Sequence, residues 1–471
     1  MGRMLTTKAL RPSVVPRPEA LRPASLAPLQ KAATPVRRLP VAPVQVRDPQ
    51  EHNAIRKVAF YTGLVTLFLR IAAIPEVLLA LTQVNTRILY YFAIPAIFTA
   101  LVSGALNRTF RQRASWYWAG FVGWMILATP FSSWIGGSVG RLIGYGRTEL
   151  IMLFVVGGLA VTWKEVRILM YTLAAAALTT VLFSHLFLQE DFSGRFAMTG
   201  VSGTIGNSND LAAQLILVIP FIWFVIKDAL LPTPVRLLLW PVIGYSLTVI
   251  LGTGSRGALV SLGVVALFIL IRATAVQRAL AVIGILMMLL LAPVILPRAT
   301  ITRLGSLFGQ EHKEAEESGD VRSYLFKKSL LYTAQNPIFG VGPGQFSNYE
   351  GNQRMEEGQR GAWTETHNVF TQVSSEDGVP ALLFFVGGLG SAFFMISKIY
   401  RRARLENVPD VANVAFCYLV SFIGYLVTIV FLAHAYHFQP VMMVGLAICI
   451  YNVATPCLDS RRTTQLAAVR S

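Results

Sequence analysis

Charged residues are scarce in this chain. Lys, Arg, Asp and Glu together make up 14% of its 471 residues, whereas a soluble domain carries roughly a quarter. Hydrophobic residues make up 54%, and the mean hydropathy is +0.55. The apolar residues are grouped in blocks of about 17–25, the length that crosses a bilayer core. The composition argues against a soluble domain and predicts an all-α polytopic membrane protein.

Cysteine is scarce as well. The three cysteines, Cys417, Cys449 and Cys457, lie in or beside apolar blocks. They have neither the CxxC spacing of a metal site nor the number of a disulfide framework, so we interpret them as packing residues. Basic residues interleaved with aromatics on a soluble domain are also missing, and nucleic acid is not an expected partner.

The N-terminal residues 1–52 differ from the rest of the chain. They hold nine Lys or Arg against three acidic residues, and proline recurs, as in "PSVVPRP". No apolar segment of a signal peptide occurs before Val58. We expect a disordered cytoplasmic tail that rests on anionic lipid, and this tail supplies about a third of the net charge of +17.

The apolar blocks predict about twelve transmembrane helices and one long loop. Nine helices fall within 53–297, the large loop covers 298–367, three helices fall within 368–455, and 456–471 form a second cytoplasmic tail. The expected spans lie at roughly 58–80, 86–106, 116–131, 148–163, 166–186, 210–227, 235–252, 256–272, 278–297, 368–397, 411–433 and 437–455.

The distribution of Lys and Arg sets the expected orientation. With the N-terminal tail inside, the outer short loops carry only Arg141, Arg147, Arg195 and Arg256. The excess of basic residues in the inner loops places both termini in the cytoplasm and 298–367 outside. The inner short loops carry thirteen: Arg108, Arg111, Arg113, Lys164, Arg167, Lys227, Arg236, Arg272, Arg278, Lys398, Arg401, Arg402 and Arg404.

Three polar motifs precede spans that run from the outer to the inner face in this topology. They are "GTIGNSNDLAAQ" before 210, "GTGSRGALVSL" before 256 and "THNVF" before 368. Helix N-termini present unpaired N–H groups and the positive end of the dipole, so three of them at one face favour an anion. We expect Arg256, Arg322 and Arg195 to add positive charge there, with Asn209 and Ser255 as N-cap residues and Asn368 in support.

Each of these features also has a plainer interpretation. The Gly and Asn motifs can be caps and turns alone, Arg256 can be an interfacial anchor to lipid phosphate, and a lone outer histidine such as His367 can be a structural or solvated residue. "GVGPGQF", residues 340–346, matches no phosphate-binding motif and predicts a turn. His434 and His437 without further ligands are weak as a metal pair, and no metal site is expected. Arg70 lies mid-span, which requires either a broken helix or an interior-facing side chain.

The stretch "VRSYLFKKSLLYTAQ" in the long loop predicts an amphipathic helix. Val321, Tyr324, Leu325, Leu331 and Tyr332 fall within an arc of about 120°. Lys328 lies inside the same arc and weakens it. We expect this helix to lie on the membrane surface or against the bundle, with Arg322 in its first turn.

Four motifs in this order resemble the O-antigen ligase and polymerase family of bacterial inner membranes. They are "GTIGNSNDLAAQLILVIPF", "TGSRGALVSL", "NPIFGVGPGQF" and "THNVFTQVSSEDGVPALLFFV". The resemblance implies a glycosyltransferase of the GT-C type that uses a polyprenyl-diphosphate-linked glycan at the periplasmic side, without a metal or another cofactor. It also implies that Arg256, Arg322 and His367 are functional residues.

The implied mechanism assigns the diphosphate to the arginines and the acceptor proton to His367. Arginine stays charged and binds phosphate in a bidentate manner, and histidine has an ordinary pKa near 6.5. A ligase transfers the glycan to lipid A core or another acceptor, whereas a polymerase joins glycan repeats, and the motifs leave both open. A lipid-linked glycan flippase or other transporter is the alternative from a different class, and Arg70 is the main residue that favours it.

Overall fold

The structure is a computed structural model that describes residues 53–272 apart from 192, 199, 202, 204 and 229, scattered positions between 275 and 301, and residues 313–470. The expected tail at 1–52 and most of the expected span at 278–297 lie outside the described residues. The described chain is mostly helical. Its two short strands, β1 (Leu188–Glu190) and β2 (Phe196–Met198), form an antiparallel hairpin in which Leu188 is opposite Met198.

The helices follow one another with short connections over most of the described chain. In order they are α1 (Ala54–Ile71), α2 (Ile74–Thr82), α3 (Ile88–Val102), α4 (Ala105–Phe110), α5 (Arg113–Ala128), α6 (Ile135–Thr148), α7 (Ile151–Gly157), α8 (Trp163–Phe187), α9 (Ser208–Lys227), α10 (Thr233–Gly252), α11 (Arg256–Arg272), α12 (Lys313–Gln335), α13 (Phe346–Glu356), α14 (Val369–Leu405), α15 (Pro409–Ile429) and α16 (Phe438–Arg470).

Six of the described helices are long and apolar enough to cross a membrane: α8, α9, α10, α14, α15 and the part of α16 up to Arg461. The bent pair α1 and α2 adds a seventh if it counts as one span, and α3 is a shorter apolar helix. The described helices are therefore those of a helical membrane protein. The count of about twelve spans stays a prediction.

The expected span at roughly 148–163 is wrong as a single helix. The structure ends α6 at Thr148, forms the short helix α7 and then leaves helical geometry before α8. A Cβ at Gly158 would lie only 2.3 Å from the carbonyl oxygen of Ala105 in α4, so glycine permits this close crossing. The Arg108 guanidinium donates to the Gly158 carbonyl oxygen at 2.9 Å and holds the C-terminal end of α7 against α4.

The centre of the bundle is formed by α9, α15 and α16. Their apolar windows are 72–78% buried inside the protein, whereas that of α10 is 22% buried and leaves a face for lipid. Small residues allow the helices to approach closely: a Cβ at Gly424 would lie 2.7 Å from the Ile216 side chain. Ser261 Oγ donates to the Gly424 carbonyl oxygen at 2.6 Å. Such packing and interhelical hydrogen bonds stabilise helix association where lipid offers no hydrophobic driving force.

Ion pairs collect at the end of the bundle that the sequence places inside. The Arg56 guanidinium binds both carboxylate oxygens of Glu165, which is itself part of the capping box at the start of α8. Arg167 binds Asp228 at 2.6 Å, and Arg402 binds Asp459 at 2.7 Å. Arg167 and Arg402 are basic residues of the predicted inner loops, and Arg56 lies in the first turn of α1.

The opposite end contains two broken helices. The axis bends by 59° between α1 and α2, where Ala73 has a positive φ of 52°. Helix α14 breaks at Gly378, whose φ is 86°. Both explanations for Arg70 hold together, because the helix ends one residue after it and its side chain faces Glu76 and Glu149 inside the protein.

Candidate active site

The starts of α9 and α11 meet at the second end of the bundle. Arg195, from the β-hairpin, joins them with its guanidinium. Its Nε donates to the Thr253 carbonyl oxygen at 2.6 Å, and Nη2 donates to Asn209 Oδ1 at 2.9 Å. The first two polar motifs therefore lie side by side, as the sequence predicts.

The start of α14 joins the same region through the segment between α15 and α16. Ala435 N–H donates to Gln372 Oε1 at 3.0 Å. The adjacent His434 has Nε2 2.9 Å from Asp210 Oδ1, in the first turn of α9. All three motif-bearing helix starts thus share one polar end of an apolar bundle, an arrangement that favours an anion.

The caps of these helices differ in one position from the expectation. Ser255 Oγ accepts from the Ala258 N–H at 3.4 Å, and Asn368 Oδ1 accepts from the Phe370 and Thr371 N–H groups at 2.9 and 3.1 Å. The prediction of Asn209 as an N-cap is wrong. Asn207 caps α9 by accepting from the Asp210 N–H, because the helix begins one residue before Asn209.

The β-hairpin orients Arg195. The Asp191 carboxylate accepts from the Ser193 N–H and hydroxyl and from the Arg195 N–H, which closes the turn of the hairpin. Burial raises the pKa of Asp191, but the hydrogen bonds from Ser193, Arg195 and Ser208 outweigh it and hold this pKa below its ordinary value. The Asp191 carboxylate therefore stays ionised. It fixes the backbone of the turn, from which the Arg195 side chain reaches the starts of α9 and α11.

Arg256 lies against the beginning of the long loop's helix. It is the first residue of α11, and its Nη2 is 3.9 Å from the position that a Cβ on Gly319 would occupy. Gly319 precedes Arg322 by three residues in α12, which is nearly one helical turn. The structure thus brings Arg256 and the segment that carries Arg322 together, although they are far apart in sequence.

His367 stands one residue before the cap of α14. Its side chain is half-buried, and its φ of 53° places the backbone in the left-handed region, which non-glycine residues seldom adopt. Burial lowers the pKa of His367, the charge of Arg322 lowers it further, and the charge of Asp210 acts in the opposite direction. The net result is a histidine whose pKa lies below its ordinary value and which is neutral near pH 7.

A second buried histidine forms a chain of polar groups that the sequence did not predict. His434 is 3% exposed. Its Nδ1 lies 3.0 Å from the Tyr425 hydroxyl, and its Nε2 contacts Asp210. The ring stacks on His437 with centroids 4.1 Å apart. Asp210 therefore contacts His434, and its charge also raises the pKa of His367.

Arg70 and Arg141 bring further charge to this end. Arg70 binds Glu76 at 3.1 Å and Glu149 at 2.9 Å and covers the Phe438 ring at 4.7 Å. Arg141, from α6, lies over the ring of Tyr436, with 5.5 Å between its Cζ and the ring centroid. Sequence reasoning placed Arg141 on the outer face without giving it a role.

The glycine-rich turn 340–346 packs against the break in α14, and the prediction of a turn is confirmed. Val341 and Gly342 donate backbone N–H groups to the carbonyl oxygens of Ser375 and Glu376 at 2.8 and 2.9 Å. The Glu376 carboxylate accepts from the Gly344 and Phe346 N–H groups, each at 3.2 Å. The turn therefore binds a carboxylate of its own chain through its N–H groups.

The amphipathic helix of the long loop forms and packs against the start of α14, but it begins at Lys313, so the prediction of Arg322 in its first turn is wrong. Leu325 and Tyr332 are buried, whereas Val321 and Leu331, also predicted on the apolar arc, are about half exposed. Lys328 is accommodated because its Nζ lies 5.6 Å from the centroid of the Tyr324 ring, 6.0 Å from that of the Tyr332 ring, and 3.5 Å from Glu357. Thr333 Oγ1 and Ser374 Oγ are 2.9 Å apart and join α12 to α14.

Within the described part of the chain, no group of three His, Cys, Asp or Glu side chains is placed to hold a metal ion. The acidic residues at this end instead contact hydroxyl, backbone N–H or cationic groups, as Asp377 does with the Tyr436 hydroxyl at 2.7 Å.

The fold and this polar end define a multi-span membrane protein whose arginines and histidines are grouped where three helices begin. Residues 241–386 match the family model described as O-Antigen ligase. This match covers three of the four motifs and confirms the resemblance to the O-antigen ligase and polymerase family over this part of the chain. No curated protein matches the chain. Members of this family transfer glycans within a membrane, from a lipid-linked donor to a glycan-bearing acceptor.

Proposed function

We propose that this protein is a membrane glycosyltransferase that moves a glycan from a polyprenyl diphosphate to an acceptor hydroxyl, in the manner of an O-antigen ligase. The observation that carries the proposal is the grouping of Arg256, the first turns of α12 with Arg322, and His367 at one end of an apolar bundle. A lipid-linked donor has an apolar tail, an anionic linker and a sugar. The bundle, the arginines and the histidine offer one partner for each.

The arginines bind the diphosphate in this proposal. Arg256 and Arg322 present guanidinium groups, which remain charged and fit phosphate oxygens as a fork. Arg195 adds positive charge while two of its N–H groups hold Thr253 and Asn209. The N-termini of α9, α11 and α14 add partial positive charge. Together these groups stabilise the negative charge that grows on the leaving diphosphate.

His367 is the general base. A neutral histidine beside Arg322 accepts the proton of the acceptor hydroxyl as that oxygen attacks the anomeric carbon. The bond between this carbon and the diphosphate oxygen breaks, the electron pair leaves with the diphosphate, and the configuration inverts. A pKa below the ordinary value keeps His367 unprotonated at neutral pH, which is the form a base requires.

The reaction needs no metal ion in this scheme. Electrostatic stabilisation by fixed charges is often the largest catalytic contribution, and two or three arginines supply the charge that a divalent cation supplies elsewhere. The long loop helps by covering the site: α12 lies over Arg256 and against α14, so it limits the access of water that would hydrolyse the donor.

The proposed location is the bacterial inner membrane, with both termini in the cytoplasm and the site at the periplasmic face. The distribution of Lys and Arg supports this orientation. The inner-loop arginines Arg167 and Arg402 lie at the end of the bundle opposite the site, where they form ion pairs.

Two alternatives remain distinct from this proposal. A polymerase of the same family joins glycan repeats with the same chemistry. A transporter is favoured by one observation, the pairing of Arg70 with Glu76 and Glu149 beside the break between α1 and α2, because transporters use ionisable residues on broken helices. The two alternatives predict different fates for the lipid-linked donor.

The test is conversion of a lipid-diphosphate-linked glycan by the purified full-length protein in lipid nanodiscs, with a chelator present. Glycosyltransferase function predicts release of polyprenyl diphosphate together with a glycan on a new acceptor. A polymerase lengthens the lipid-linked chain instead. A transporter leaves the donor chemically unchanged and moves it across the bilayer of a proteoliposome, an outcome that overturns the proposal.

A further inference from the structure

A cavity of about 480 Å³ lies beside the site, on the side of α6. Its walls are one face of α6, the glycine-rich turn with the start of α13, and Tyr436. Its volume falls in the range of small-molecule sites, about 300–1,000 Å³. None of the functional residues proposed above lines it, so the cavity is a separate binding space.

Glycines on one face of α6 create the space. Gly137, Gly140 and Gly144 recur at helical spacing and line the cavity. A Cβ at Gly140 or Gly144 would meet nothing within 4 Å, so these positions open onto empty volume. At Gly137 a Cβ would lie 2.7 Å from Gln345 Nε2, and glycine there lets the Gln345 amide approach the helix.

The polar and aromatic groups of the cavity match a sugar ring. Trp134, which is 59% exposed, offers apolar ring surface with a polar edge, to which the C–H face of a pyranose can pack, and the buried rings of Tyr145 and Tyr436 also line the cavity. Asn348 adds an amide that both donates and accepts, as sugar hydroxyls require. Arg141 adds a guanidinium that lies over the Tyr436 ring and forms no ion pair with a carboxylate of the described residues.

The segment that leads to His367 packs on α13, which carries the cavity residue Asn348: a Cβ at Gly351 of this helix would lie 2.7 Å from Trp363 Nε1. The charges that act on Glu365 are those of Arg141, His434 and Asp210. Two residues further along, the charges that act on His367 are those of Arg322 and Asp210. Arg141 of the cavity and Arg322 therefore act on residues that are only two positions apart in the chain.

We infer that the cavity lined by Arg141, Gly144 and Tyr436 binds a sugar residue of the acceptor glycan and presents its hydroxyl toward His367. This inference rests on the proposed function, since it names the acceptor's place in that reaction. An acceptor must approach the anomeric carbon from the face opposite the leaving diphosphate, and the cavity offers a space that none of the proposed diphosphate arginines lines.

Gly144→Phe tests the inference because it fills the cavity from a position with open space. Gly146→Phe is its matched control: it lies on the same helix, its Cβ also meets nothing within 4 Å, and it does not line the cavity. Arg141→Met is the second test variant: it removes a charged side chain from the cavity wall without adding volume. It keeps the inference testable if Gly144→Phe does not fold.

The first readout is equilibrium binding, which requires no turnover. The probe is the oligosaccharide released by mild acid from the envelope of the host strain, followed by saturation-transfer NMR with the protein in nanodiscs. We expect binding by the wild type and by Gly146→Phe and its loss in Gly144→Phe and Arg141→Met. Equal binding by wild type and both cavity variants, or no binding by the wild type, overturns the inference.

The second readout separates this inference from the proposed function. In the transfer assay, Gly144→Phe should raise the acceptor KM at least about tenfold, which corresponds to about 1.4 kcal/mol, and leave the donor KM unchanged. Transfer by a folded Gly144→Phe variant with the wild-type acceptor KM overturns the cavity and leaves the transferase intact. Binding in the cavity without any transfer by the wild type overturns the transferase instead.

Discussion

His434 Nε2 lies 2.9 Å from Asp210 Oδ1, and the same carboxylate acts electrostatically on His367. One acidic residue at the start of α9 therefore influences two histidines that come from different parts of the chain. Asp210 raises the pKa of His367, whereas Arg322 lowers it. The balance of these two charges sets the pH at which His367 can accept a proton.

This balance predicts opposite shifts in the pH dependence of transfer. The activity of the wild type should rise with pH through a pKa below 6.5, as His367 loses its proton. Asp210→Asn removes the charge that raises this pKa, so the acid limb should move to lower pH. Arg322→Gln removes the charge that lowers it, and the acid limb of the residual activity should move to higher pH.

The measurement is the pH profile of transfer at saturating donor for the three proteins. Glu365→Gln is the control, because Glu365 lies two residues from His367 but is not among the charges that act on it. A shift of the same direction in Asp210→Asn and Arg322→Gln would show that another group controls the acid limb.

Arg256→Lys distinguishes a bidentate phosphate ligand from an interfacial anchor. Lysine keeps the charge but lacks the planar fork of donors, so transfer efficiency should fall by at least about tenfold if Arg256 binds the diphosphate. Arg272→Lys is the matched control at the other end of α11, where the guanidinium covers the Phe268 ring at 4.0 Å. Wild-type kcat/KM in Arg256→Lys would remove Arg256 from the donor site.

Gly158→Ala tests the correction made to the expected span at 148–163. A Cβ there would lie 2.3 Å from the Ala105 carbonyl oxygen, so α4 and the chain after α7 would have to separate. We expect a loss of about 1–3 kcal/mol in the free energy of unfolding, seen as a lower midpoint of thermal denaturation in detergent. Gly146→Ala should be neutral, because its Cβ meets nothing within 4 Å. Equal midpoints for both variants would contradict the close crossing.

Single cysteines at Gln359 and Leu405 test the orientation. Both positions are exposed, and Leu405 is 83% exposed at the end of α14. In a background without Cys417, Cys449 and Cys457, a thiol reagent that cannot cross the membrane should label Gln359→Cys in intact spheroplasts. Leu405→Cys should react only after the membrane is opened. The reverse pattern would place the proposed site in the cytoplasm.

Much of the helical fold follows from apolar block length and from caps. The expected starts at 210, 256 and 368 agree with α9, α11 and α14 within two residues, because Ser or Asn precedes each apolar run. The failure at 148–163 has a steric cause: hydropathy reports how apolar a block is but not that Gly158 must admit the backbone of α4. The bend beside Arg70 has a local signal, because Pro75 in the first turn of α2 cannot continue the helix of α1, but the positive φ of Ala73 has none.

The candidate site was only partly accessible from sequence. Asp210 and Glu376 stand inside the quoted motifs, so their polarity next to apolar runs was a usable signal. His434 and Tyr425 carry no such signal, since their partners lie on other helices and only folding brings them together. The cavity beside α6 was also hidden, because a row of glycines predicts flexibility or close packing equally well until the space they leave is seen.

The central claim is that His367 removes the acceptor proton, and His367→Gln tests it most directly. Glutamine keeps much of the shape but cannot act as the base, so transfer by the purified protein should fall on the order of 10²–10⁴-fold. Donor binding should persist because the arginines remain. His185→Gln, at an exposed histidine that contacts the Tyr245 hydroxyl, is the control and should be mild. Transfer at a near wild-type rate by folded His367→Gln would contradict the account and move the search for the base to His434.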